Sequence, residues 1–233
     1  MRKTMFRRAT VLCVTAIAVL VMGGTAHAAM VTWDLAQTIT GASNIQSAGV
    51  TDLAGANFGR TTGTTTIVNN GSVDIEFKSL NSGQNVTLSN GVNVAAASAW
   101  GNWGGNGGIS GVGGTFETVL DYNLGIEEGN PLSATITLSG LTSGTQYQIQ
   151  FFADSTGSNT QKISGSDSMN SLTGKFVTGT FTADATSQVL TVTYTDNNFA
   201  VANALTIGVI PEPATLGLLA LGGLAMLKRK RQS

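Results

Sequence analysis

Gln146-Tyr147-Gln148-Ile149-Gln150-Phe151 sets a glutamine at every second position and a large apolar or aromatic residue at each one between. Successive side chains of an extended strand point to opposite faces. The stretch therefore reads as a strand with Tyr147, Ile149 and Phe151 on one side and the glutamines on the other. The same period of two recurs in Val73-Asp74-Ile75-Glu76-Phe77, Ala134-Thr135-Ile136-Thr137-Leu138, Val189-Leu190-Thr191-Val192-Thr193-Tyr194 and Ala204-Leu205-Thr206-Ile207-Gly208-Val209. Val86-Thr87-Leu88, Thr115 to Leu120 and Lys175 to Phe181 are further strand candidates, and no long apolar stripe of helical period stands out. Asn69-Asn70-Gly71-Ser72 and Ser89-Asn90-Gly91 supply residues that accept positive φ, as tight hairpins require. Ser139-Gly140-Leu141-Thr142-Ser143-Gly144-Thr145 links two strands, with Leu141 expected under a sheet edge. Many short strands at this spacing predict an all-β fold, an antiparallel β-sandwich of two packed sheets.

The two ends differ from this middle and divide the 233 residues into three parts. Arg2, Lys3, Arg7 and Arg8 precede an uncharged apolar run from Ala9 to Met22, and Ala26-His27-Ala28 supplies a small-x-small exit. This is the pattern of a secretory signal peptide, residues 1–28, cut by signal peptidase after Ala28. Residues 29–208 form the β-domain and residues 209–233 a C-terminal tail. The fold class is thus a sandwich flanked by an N-terminal signal helix and a short C-terminal hydrophobic helix. Removing the signal removes the only cysteine, Cys13, and the only histidine, His27. The mature chain then has no disulfide, no thiolate or imidazole zinc site and no Ser-His-Asp relay.

The overall charge of −1 conceals a strong asymmetry. Four basic residues lie in the signal and four in the tail. Between Ala29 and Ile210 twelve acidic residues face only Arg60, Lys78, Lys162 and Lys175, a balance of −8. Such a surface repels phosphate backbones, so no nucleic acid partner is expected.

The tail reads Pro211-Glu212-Pro213, then the apolar run Ala214 to Leu227, then Lys228-Arg229-Lys230-Arg231. As a helix the run covers about 21 Å, at about 1.5 Å per residue. That is short against a hydrocarbon core of about 30 Å, which suits a temporary anchor. The basic cluster would stop transfer at the cytoplasmic face. These three parts, in this order, resemble the PEP-CTERM sorting signal. The resemblance implies recognition by an exosortase in the inner membrane, with cutting near Pro211, Glu212 and Pro213. The membrane would hold the chain through the C-terminal helix only before processing. The protein would then pass to the cell surface or extracellular matrix of a Gram-negative bacterium that makes exopolysaccharide.

Within the middle, Thr137 to Tyr147, Gly179 to Asp184 and Asn203-Ala204-Leu205 resemble phrases of galactose-binding-like jelly-roll domains, which implies a tendency toward glycans. Ala99 to Gly114 sets Trp100 and Trp103 among glycines and asparagines. They are candidate sugar-stacking rings, with Asn102 and Asn106 as hydrogen-bonding partners; the alternative is that both rings close the end of the core. Asp154 and Asp196 lie in oxygen-rich loops and are weak calcium candidates; no other cofactor or metal is expected. Glu127-Glu128, or Glu117 with Asp121, are the carboxylate pairs open to glycoside hydrolysis, but sequence neighbours rarely reach the required separation. The expectation is a non-enzymatic, exported structural protein associated with exopolysaccharide. The alternative is a carbohydrate-binding module using Trp100 and Trp103, and a histidine-free glycan hydrolase is the third reading.

Overall fold

The computed structural model describes residues 29–103, 111–126, 133–155, 160–170, 174–194 and 199–212. The signal helix and the C-terminal apolar helix expected from the sequence lie outside these residues. Among the described residues no helix is long and apolar enough to cross a membrane.

The chain is mostly β. Its first strands are β1 (Thr32–Trp33), β2 (Gln37–Thr38), β3 (Thr51–Phe58), β4 (Thr65–Asn69), β5 (Asp74–Leu80) and β6 (Asn85–Thr87). Next come β7 (Asn93–Ala96), β8 (Gly101–Trp103), the helix α1 (Gly114–Leu120), β9 (Asn123–Ile126), β10 (Ser133–Ser139) and β11 (Gln146–Ala153). The last are β12 (Thr160–Ile163), β13 (Met169–Asn170), β14 (Lys175–Thr182), β15 (Ser187–Tyr194), β16 (Ala200–Ala202) and β17 (Ala204–Ile210).

The described residues form three sheets. The largest has the order β1-β14-β11-β17-β3-β5-β4, with β2 also on β14; the second runs β13-β12-β15-β10-β7-β6; the third is β16-β9-β8. Pairing is antiparallel except between β3 and β5, which run parallel. That parallel pair departs from the expected antiparallel sheets. It arises because β4 turns back through Asn69–Gly71 onto the outer side of β5. Gly71 has φ +94° there, and the Asn70 side chain accepts from the Ser72 and Val73 amides, so the turn is closed locally.

The period-two alternation of β11 and its neighbours sets the core. Tyr147, Ile149 and Phe151 of β11, Val177 and Phe181 of β14 and Leu205 and Ile207 of β17 share one buried cluster with Ile136 and Leu138 of β10 and Leu190 and Val192 of β15. The largest and second sheets therefore meet through these faces. Leu141 joins the same cluster beneath the β10–β11 connection, as expected. Each fully buried side chain of this size contributes about 1.5–3 kcal/mol.

The opposite face of the largest sheet is not left to water. A second cluster there contains Ile75 and Phe77 of β5, Phe152, Phe176, Ile39, Ile45 and three residues of α1: Phe116, Val119 and Leu120. Thr115 to Leu120 is thus a helix, not the strand expected. Its apolar positions fall at intervals of three and four, which a helix puts on one face and a strand would split between two. Phe116 meets Phe152 edge-on, with ring centres 5.5 Å apart. The Glu117 carboxylate accepts the Gly113 amide at 2.8 Å and closes the start of α1.

Gln148 and Gln150 of β11 point to this second face and are covered too, while Gln146 at the start of the strand is exposed. Gln150 Oε1 accepts the Gln46 amide at 2.8 Å and its Nε2 donates to Asn44 O at 2.9 Å. Gln148 Nε2 donates to Gln46 O at 3.1 Å. Past Gln146 the polar side of the strand is buried, and both buried side-chain amides have backbone partners, which is the condition for burial.

Register brings the first and last strands of the described domain to one end of the sheet. Thr32 lies opposite Thr180, Thr180 opposite Gln148, and Gln148 opposite Gly208. Residues before Thr32 and after Gly208 therefore leave from the same end of the sheet, three strand spacings or about 14 Å apart. Strand β17 runs on to Ile210.

Candidate functional site

The end of the domain opposite the tail collects several residues singled out from sequence. Trp100 is only 2 % exposed and belongs to the core, and its Nε1 donates to Thr135 O at 3.0 Å. Its ring is packed in the core, which is the alternative the sequence left open for it. Asn102 is exposed and its Oδ1 accepts the Ser82 amide at 2.8 Å. Trp103 pairs through its backbone with Asn123, and its side chain lies outside what is described. Asn106, Asp196, Glu127 and Glu128 also lie outside the described residues, as do Pro213 and the basic cluster Lys228, Arg229, Lys230 and Arg231. Pro211 and Glu212 are exposed directly after β17.

Asp154 is buried at the end of β11 rather than on an open loop, and its amide donates to Asn203 Oδ1 at 2.8 Å. Among the described residues no group of three or more acidic, histidine or cysteine side chains is gathered for a metal. Asn203 is the hub of this end. Its Nδ2 donates to Leu120 O at 2.6 Å and to Tyr122 O at 3.1 Å, and its own carbonyl accepts the Phe58 amide at 2.9 Å. One fully buried side chain thus ties the end of α1, the end of β11 and the start of β17.

A different constellation forms along the side of the domain. A cavity of about 420 Å³ is lined by Val31, Trp33, Asp34, Leu35, Gly165 and Asp167. Trp33 is seated by its neighbours. A methyl group on Gly179 of β14 would lie 2.6 Å from Trp33 Cε3 and 2.7 Å from a Val31 methyl. Only a glycine lets the half-buried indole rest on that strand. The Trp33 Nε1 donates to Ser164 O at 3.2 Å. Ser164 carries φ +44°, a conformation uncommon for a non-glycine residue. It is held by two bonds to Thr191: its amide donates to Thr191 O at 2.8 Å and its Oγ accepts the Thr191 amide at 2.9 Å. Ser166 closes the turn by accepting the Ile163 amide at 3.0 Å and donating to Asp167 O at 2.9 Å.

The result is an indole fixed at the junction between the edge of the largest sheet and the β12 turn, flanked by two exposed carboxylates. Leu35 is 75 % exposed beside it. No basic side chain lines the cavity. An aromatic surface next to carboxylate acceptors can hold the apolar face of a small polar molecule while the acids take its hydroxyl or ammonium donors. Sequence reading passed over these residues. Trp33 and Ser164 are 131 positions apart, so no local pattern could have joined them.

The family model of the PEP-CTERM protein-sorting motif matches residues 209–232. The chain therefore carries this motif and is an exported protein processed by an exosortase, with a C-terminal membrane anchor before processing. No curated protein and no solved structure matches the chain.

Proposed function

We propose that this is a non-catalytic protein of the cell surface or extracellular matrix of a Gram-negative bacterium, whose β-sandwich domain of jelly-roll kind associates with exopolysaccharide. The observation that carries the reading is the sorting motif joined without a linker to a core strand: Pro211 follows Ile210, the last residue of β17. The sandwich reading is supported by the single apolar cluster shared between the two larger sheets. A structural rather than catalytic role is supported by the mature sequence, which lacks histidine and cysteine once residues 1–28 are removed. Among the paired carboxylates considered, Glu117 closes the start of its helix. A carbohydrate-binding module is the second reading. It is favoured by the groove at Trp33 and not by Trp100, which is buried.

The test is cell fractionation of the full chain with Pro211, Glu212 and Pro213 replaced by alanine. Wild type is expected outside the cell, shortened at the tail, and co-purifying with polysaccharide. The variant is expected to stay unprocessed in the inner membrane. A wild-type protein that reaches the exterior but never co-purifies with polysaccharide would remove the matrix part of the reading.

A further inference from the structure

We infer that the groove at Trp33 is a binding site for a cationic amino sugar, a hexosamine unit carrying a free ammonium group. This rests on the polysaccharide-association reading and names the sugar chemistry that the association would use.

Three observations converge. First, the indole is positioned and immobilised. Gly179 leaves room for it against β14, and its only polar atom is spent on Ser164 O. What the ring presents to the cavity is therefore an apolar, electron-rich surface, suited to the carbon–hydrogen face of a pyranose and to a cation. Second, the polar atoms at the rim are carboxylates. Asp34 and Asp167 both line the cavity and are exposed, and no Lys or Arg accompanies them. They accept hydrogen bonds and attract positive charge; a uronic acid would be repelled. Third, the surrounding field has the same sign, with twelve acidic against four basic residues between Ala29 and Ile210. That balance draws a polycation toward the domain from a distance. The cavity of about 420 Å³ is of the size that takes a small ligand rather than a protein segment.

The backbone supports the assignment. Ser164 is one of two non-glycine residues with positive φ among those described, and its carbonyl is the acceptor that fixes the indole. Strain of this kind persists where the surrounding structure over-determines it. Here the bonds to Thr191 and the Ser166 turn do so.

The experiment uses the processed protein purified from the cell exterior. Binding is measured by calorimetry against an oligomer of β-1,4-linked glucosamine, its fully N-acetylated counterpart, an oligouronate and polylysine. The expected result is binding to the glucosamine oligomer that weakens with salt, weaker binding to polylysine through the overall charge alone, and little binding to the other two. Trp33→Ala is expected to weaken it about ten-fold. Asp34→Asn and Asp167→Asn, at exposed positions that leave the fold intact, are each expected to weaken it roughly three-fold. Trp33→Phe, which keeps an aromatic ring on Gly179, is expected to recover part of the loss.

Equal binding of the N-acetylated oligomer would overturn the ammonium assignment, and equal binding of polylysine would overturn the sugar. Unchanged affinity in both aspartate variants and in Trp33→Ala would place the site elsewhere. If Trp33→Ala still co-purifies with the cell's polysaccharide as wild type does, the association reading stands and this site fails. If wild type binds glucosamine through the groove but never co-purifies with polysaccharide, the association reading fails instead.

Discussion

Replacing Asn203 by alanine should destabilise the domain more than any other single change to a polar residue at the end opposite the tail. Asn203 is fully buried, and its side chain makes three hydrogen bonds, all to backbone groups: from the Asp154 amide at 2.8 Å, and to Leu120 O at 2.6 Å and Tyr122 O at 3.1 Å. Alanine removes the partner of all three at once. Each buried polar group left without a partner costs about 1–3 kcal/mol, which sets an upper range of roughly 3–9 kcal/mol. A water entering the vacated space would restore part of this, since the site is polar enough to hold one. The net loss should be about 3–5 kcal/mol, or a fall in Tm of roughly 6–20 °C at about 2–4 °C per kcal/mol for a domain of this size. Asn203→Asp should be no better, because it sets a carboxylate oxygen against two carbonyl oxygens. Asn102→Ala, which loses one bond at an exposed site, should cost about 0.5 kcal/mol. Urea unfolding of the processed proteins, with the m-values compared, measures the difference. An Asn203→Ala protein within 1 kcal/mol of wild type at unchanged m-value would refute the reasoning that this hydrogen-bond hub holds α1, β11 and β17 together.

Other perturbations test other links. Gln150→Leu should destabilise by about 2–4 kcal/mol, because it orphans the Gln46 amide and the Asn44 carbonyl on a face already sealed by the second cluster; a neutral result by thermal melting would mean that water reaches this face. Gly179→Ala should lower stability by about 1–3 kcal/mol and shift the tryptophan emission, since the new methyl group overlaps Trp33 and Val31. An unaltered spectrum would count against the seating of the indole. Trp100→Ala should lower stability by about 3–5 kcal/mol without selectively removing glycan binding, as expected of a core residue. Binding lost while the melting temperature holds would restore Trp100 to a ligand role.

Much of the architecture is legible because β-structure writes its period directly into the chain. The alternation in 146–151, 134–138, 189–194 and 204–209 identified strands that the structure contains, and Asn-Gly pairs marked the hairpins at Gly71 and Gly91. Those signals are local: a residue's side of a strand depends on its parity, and a turn depends on one residue's tolerance of positive φ. The tail is legible for the same reason. Its proline, apolar and basic parts act through linear order, and the family model matches it over residues 209–232.

What parity cannot state is what covers each face. The glutamines of β11 alternate just as a solvent-facing row would, yet α1 and the Ile39–Gln46 segment close over Gln148 and Gln150 and leave only Gln146 to water. Thr115–Leu120 reads as a strand when taken alone, and it is a helix because that form puts Phe116, Val119 and Leu120 together against Phe152 and Val68 of β4. Trp100 in its glycine-rich stretch was open to a sugar-stacking role or to closing the end of the core, and burial puts it in the core; Trp33 attracted no notice and lines the cavity. By itself the sequence determined the strands, the turns, the excess of acid and the sorting address, since each follows from neighbours along the chain. The burial of the second face, the hub at Asn203 and the groove between Trp33 and Asp167 were decided only by tertiary structure. They join residues up to 131 positions apart, and burial is a property of what those distant residues exclude from water.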